Sequence, residues 1–134
     1  LSGSLTDLLS DNNVYESIKE VLSTGTVKKR YSYLDHTWVI NVTGGTKVTF
    51  NIQAWHSSNR ENDHFAFYYS TDGVTFIPKL TVTQTSDNNT RLSFELPATL
   101  KGKTYIRVVD TVRTAGTRSL DKLYVDQLFI RSEE

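Results

Sequence analysis

The sequence predicts an all-β protein, a two-sheet antiparallel sandwich of about eight or more strands, and three observations carry that expectation. The first is composition: Thr, Ser and Asn abound, Tyr, Phe and Val are well represented, Met is absent and Ala scarce. That mixture suits pleated, half-buried surfaces. The second is the run Phe65-Ala-Phe-Tyr-Tyr-Ser70, in which Phe65, Phe67 and Tyr69 alternate with Ala66, Tyr68 and Ser70, the period of a strand with one covered face. The third is a succession of short apolar runs separated by turn signals, the usual pattern of a sandwich.

The run from His64 to Pro78 reads as a hairpin. Ser70-Thr-Asp-Gly73 supplies its turn, since Asp favours tight turns and Gly adopts positive φ without a steric penalty. Val74, Phe76 and Leu80–Gln84 carry the chain back, and Pro78, which cannot donate to a ladder, marks an edge or a bulge. Upstream, residues 1–13 read as a loop or short helical turn, and Val14–Leu22 as a strand with a break in phase, helical spacing being the competing reading. Ser23–Thr26 is a turn, and Lys28-Lys-Arg30 a solvated basic loop. Tyr31–Val42 forms a strand, Gly44-Gly45 signals a hairpin, and Thr46–Trp55 is the cleanest strand. Val48, Phe50, Ile52 and Ala54 form one face of it, and Lys47, Thr49, Asn51, Gln53 and Trp55 the other. Ser57–Asp63 is a polar loop and Ser86–Thr90 a turn. Arg91–Leu96, Thr104–Asp110 and Leu123–Arg131 are further strands, the last two joined by a polar loop over 111–121. Val48, Phe50, Ile52, Phe65, Phe67, Leu92, Phe94 and Phe129 are expected in the core.

The 134 residues fit one domain spanning the whole chain, with no repeat or linker, and the start without Met reads as an excised piece of a larger secreted protein. With no cysteine, disulfides, thiolate zinc sites and a Cys nucleophile are excluded. Fifteen basic and fifteen acidic residues balance, so nothing draws the chain to nucleic acid or an acidic membrane. No apolar run approaches the roughly 20 residues of a membrane span.

No catalytic signature is present. His36, His56 and His64 fall in no metalloprotease or hydrolase pattern and read as structural, His56 at a covered strand end. Asp110, Asp121 and Asp126 are the acids available for glycoside chemistry, but any β-rich domain has such a set. Sugar binding fits better. A sugar has an apolar face and a polar rim, and takes an accessible ring with amide or charged partners beside it. Trp55 with Asn51 and Gln53 supplies that combination on the polar face of its strand, with Tyr68 and Arg107 as further candidates. Arg113 and Arg118 either clamp an anionic sugar or tie their loop to neighbouring carboxylates.

Phe67-Tyr-Tyr-Ser-Thr-Asp-Gly73, Thr104-Tyr-Ile-Arg-Val-Val-Asp110 and Leu123-Tyr-Val-Asp-Gln-Leu-Phe-Ile130 together resemble secreted jelly-roll modules of the galactose-binding-like and carbohydrate-binding-module group, over roughly residues 36–131. The resemblance implies a jelly roll that binds polysaccharide without cleaving it, appended to a secreted bacterial enzyme or adhesin and located outside the cell or on its surface; in isolation the domain is expected to be a monomer. It also implies a structural calcium held partly by Asp126, with Asp11 and Glu16 as further ligands. A structural or protein-interaction domain of a secreted protease or adhesin is the competing reading.

Overall fold

The structure, a computed structural model, describes residues 16–58, 62–116 and 119–134. The lead-in expected over 1–13, including Asp11, lies outside them. The described chain forms ten strands: β1 (Glu16–Lys19), β2 (Val21–Leu22), β3 (Ser32–Tyr33), β4 (Asp35–Val42), β5 (Lys47–His56), β6 (Phe65–Ser70), β7 (Ile77–Val82), β8 (Leu92–Leu96), β9 (Gly102–Asp110) and β10 (Lys122–Glu133). Of the stretch Val14–Leu22 read as a strand with a break in phase, the described part forms β1 and β2 on either side of Glu20. One sheet runs β1-β10-β5-β8, the other β4-β9-β6-β7, and β2 pairs β3 beside them. All pairings are antiparallel. This is the expected two-sheet sandwich.

The core lies where the alternating faces meet. Phe65, Phe67, Ile106 and Val108 point in from the second sheet, and Val48, Phe50, Ile52, Leu123, Val125 and Leu128 from the first. Trp38 of β4 stacks at 6.2 Å on Phe67 of β6, and Phe67 meets Phe50 of the opposite sheet at 6.4 Å. The buried Trp38 Nε1–H donates to Glu16 Oε2 at 3.2 Å, the partner a covered indole needs. Each fully buried aromatic or aliphatic side chain contributes about 1.5–3 kcal/mol.

Three expectations are corrected. Phe129 is not in the core. A bulge between Val125 and Gln127 adds a residue and reverses the phase, so Leu128 and Ile130 continue the inner face begun by Leu123 and Val125. Phe129 turns outward, under the Arg91 guanidinium at 5.7 Å. Phe94 pairs with Phe50 but is only half-buried, because β8 is an edge strand. Gly44-Gly45 is not a hairpin: β4 pairs β9 whereas β5 pairs β10 and β8, so this segment crosses between sheets. Its second glycine has a packing reason instead. A Cβ on Gly45 would lie 2.0 Å from the Glu133 carbonyl oxygen, which accepts from Thr46 N–H at 2.7 Å.

The β6–β7 hairpin forms as expected. Gly73 has φ +76°, and Asp72 Oδ1 accepts from the Val74 and Thr75 amides, both at 2.8 Å. Those amide donors hold the Asp72 carboxyl below its usual range. Pro78 lies on edge strand β7, opposite Tyr68 at a register shift, so it meets both conditions a strand proline needs.

Candidate functional site

The outward face of β5 and β10 is built of paired residues. Trp55 stands opposite Tyr124, Gln53 opposite Gln127, and Asn51 opposite Phe129. The Trp55 and Tyr124 rings stack at 5.4 Å with 19° between their planes, and both residues are half-buried. Strand alternation places each ring outward, Trp55 between inward Ala54 and His56, Tyr124 between Leu123 and Val125. Tyr124 was therefore legible in the sequence from its place between two inward apolar residues.

The amides below them differ from expectation. Asn51 and Gln53 are buried, 6% and 2% exposed, because the β7–β8 connection and strand β8 cover that part of β5. Gln53 Nε2 donates to Asp87 Oδ1 at 3.3 Å and Asn89 Oδ1 at 3.5 Å. Asn51 Oδ1 accepts from the Ser93 hydroxyl at 2.7 Å, and its Nδ2 donates to Thr49 O. Both N–H groups of Gln53 are committed within the protein. These residues brace the platform; they do not offer free amides to a ligand. Arg91 extends the same face, donating to Gln127 Oε1 at 3.3 Å.

Tyr68 and Arg107 do not join this face. β6 and β9 belong to the opposite sheet, where Tyr68 and Arg107 stand directly across from each other. Arg107 makes a two-point ion pair with Asp35, its Nε donating to Oδ1 at 2.8 Å and Nη2 to Oδ2, and lies 5.1 Å over Phe76. That pair holds the Asp35 carboxyl below its ordinary value. The five ligand candidates thus divide between two outer faces, Trp55, Gln53 and Asn51 on one, Tyr68 and Arg107 on the other.

Of the predicted calcium ligands, Asp126 is the buried residue of the β10 bulge and Glu16 is buried against Trp38. Among the described residues the acids that converge three at a time are others: Glu20, Asp63 and Asp110. Arg113 does tie its loop to a carboxylate, pairing with Asp110 at 2.9 Å; Arg118 lies outside the described residues. The three histidines divide as well: His56 Nε2 and His64 Nδ1 are 3.1 Å apart, while His36 stands edge-on to Trp38 at 4.6 Å. An open groove between the Ser70–Thr75 and Pro97–Lys101 turns includes Tyr69, but that residue is 6% exposed and offers no ring face to a sugar.

The chain matches no protein-family model and no curated protein. It is similar in structure to TmCBM61, solved in complex with β-1,4-galactotriose at 1.4 Å resolution. What the two share is the fold, a two-sheet antiparallel β-sandwich. The superposition has a TM-score of 0.51 at 10% identity, covering 96% of this chain and 92% of that one.

Proposed function

We propose that this domain is a non-catalytic carbohydrate-binding module that holds a polysaccharide against the Trp55–Tyr124 pair. The carrying observation is that pair: two aromatic rings, cross-strand neighbours, stacked 5.4 Å apart on the outer face of a sheet. Stacked on one another, the rings give an apolar surface against which a pyranose face can pack, on a backbone paired in the β10–β5 ladder. The fold likeness to TmCBM61 supports the reading and makes β-1,4-galactan the first probe. Ring stacking contributes roughly 0.5–1.5 kcal/mol per contact beyond the area it buries. In this reading the domain anchors a secreted bacterial enzyme or adhesin to its substrate and works as a monomer.

Affinity electrophoresis against β-1,4-galactan, with a glycan array covering plant, marine and bacterial polysaccharides, tests it. Trp55→Ala loses retention while Tyr68→Ala, on the opposite sheet, keeps it. Loss in Tyr68→Ala and Arg107→Ala with retention in Trp55→Ala moves the site to the second sheet. A wild type that binds no glycan hands the domain to the structural or protein-interaction reading.

A further inference from the structure

Four acids are buried where the β1–β2, β5–β6 and β9–β10 connections meet. Glu20 follows β1, Asp63 precedes β6, Asp110 ends β9 and Asp121 precedes β10, with exposures of 1%, 0%, 6% and 3%. Glu20, Asp63 and Asp110 bring one carboxylate oxygen each within 4.8 Å of one another. Each is also oriented by protein donors. Glu20 Oε2 accepts from Asp121 N–H at 2.8 Å. Asp63 Oδ1 accepts from the Thr111 and Val112 amides at 2.8 Å and the Thr111 hydroxyl at 3.0 Å. Asp110 Oδ1 accepts from Leu34 N–H and Arg113 Nε–H, both at 2.9 Å.

One oxygen per carboxylate is therefore occupied by donors. Glu20 Oε1 and Asp110 Oδ2 are buried and accept no hydrogen bond among the described residues, and a buried acceptor left so is costly. Arg113 balances one of the charges. We propose that Glu20, Asp63 and Asp110 are the protein ligands of a structural calcium ion, at a site separate from Asp126 and Glu16. The ligands are all hard oxygens, which select calcium or magnesium over softer metals. Oxygens within 4.8 Å of one another can share one ion at the roughly 2.3–2.6 Å of a calcium–oxygen bond. Glu20 follows β1 of the first sheet, whereas Asp63 leads into β6 and Asp110 ends β9 of the second, so the ion would staple the two sheets at this end.

A proton is the rival occupant. Burial, opposed by the Asp121 amide and reinforced by the charges of Asp63 and Asp121 and a side-chain hydrogen bond with Asp63, pushes Glu20 up to about 8, which favours its protonated form in the ion-free protein. Calorimetric titration of the EDTA-stripped full chain with calcium chloride, followed by thermal unfolding, distinguishes the two. The expected result is one calcium per chain and a melting temperature raised by about 10 °C at 100 times Kd. Glu20→Gln, which keeps shape and removes charge, weakens calcium binding at least tenfold and raises the melting temperature of the ion-free protein. Asp110→Asn is the second variant, expected to lose the calcium response too, and Asp126→Asn is expected to keep it. No heat and no thermal shift in the wild type overturn the site. So does wild-type calcium affinity in both Glu20→Gln and Asp110→Asn, or a response lost only in Asp126→Asn.

Discussion

Phe67→Ala tests whether the central hairpin is phased as described. Phe67 is fully buried, stacked on Trp38 at 6.2 Å and packed across the sandwich on Phe50 at 6.4 Å. Truncation removes both ring contacts and leaves a cavity between two sheets whose ladders resist collapse. Phe→Ala changes in such sites cost about 3–5 kcal/mol. With 134 residues and an unfolding entropy near 2.1 cal/mol/K per residue, each kcal/mol shifts the melting temperature by about 3.6 °C. The expected drop is then roughly 11–18 °C by calorimetry, with a matching fall in the urea midpoint at unchanged slope. Tyr68→Ala, one residue on and half-buried on the other face, serves as the control and should cost under about 1.5 kcal/mol. A drop below about 4 °C for Phe67→Ala, or a larger one for Tyr68→Ala, refutes the phase.

Gly45→Ala should destabilise by about 1–3 kcal/mol or more, since the new Cβ meets the Glu133 backbone 2.0 Å away; a urea midpoint equal to wild type would show that the β4–β5 crossing has room. His36 supplies a pH dependence. Burial lowers its pKa below 6.5, against the pull of the Glu16 and Asp35 charges. The folded state thus prefers the neutral ring, so this stability is complete above pH 6.5 and is lost as pH falls below it. Denaturation curves between pH 7 and 5 should slope less in His36→Gln than in wild type; identical slopes would dismiss His36 as the source.

Local pattern made the strands legible. Alternation of apolar and polar residues put Val48, Phe50, Ile52, Phe65 and Phe67 inside, and Ser70-Thr-Asp-Gly73 marked a turn, because both signals act between neighbours in the chain. Pro78 announced an edge by the hydrogen bond it cannot make. What needed the tertiary structure was everything settled between distant residues. The Gly44-Gly45 pair looks the same whether the chain returns beside itself or crosses to another sheet; the approach of Glu133, 88 positions on from Gly45, decides it. A single bulge at Asp126 reverses the phase of Leu128 and Phe129, and nothing in an alternating string marks where one extra residue enters. Asn51 and Gln53 carry the right alternation for an open face, yet the connection that covers them comes from more than 30 residues away, as Gln53 to Asp87 shows. Trp55 and Tyr124 become a pair, and Glu20, Asp63 and Asp110 a cluster, only once the ladders and loops close, since side chains so far apart in sequence owe their meeting to the fold and not to local preference.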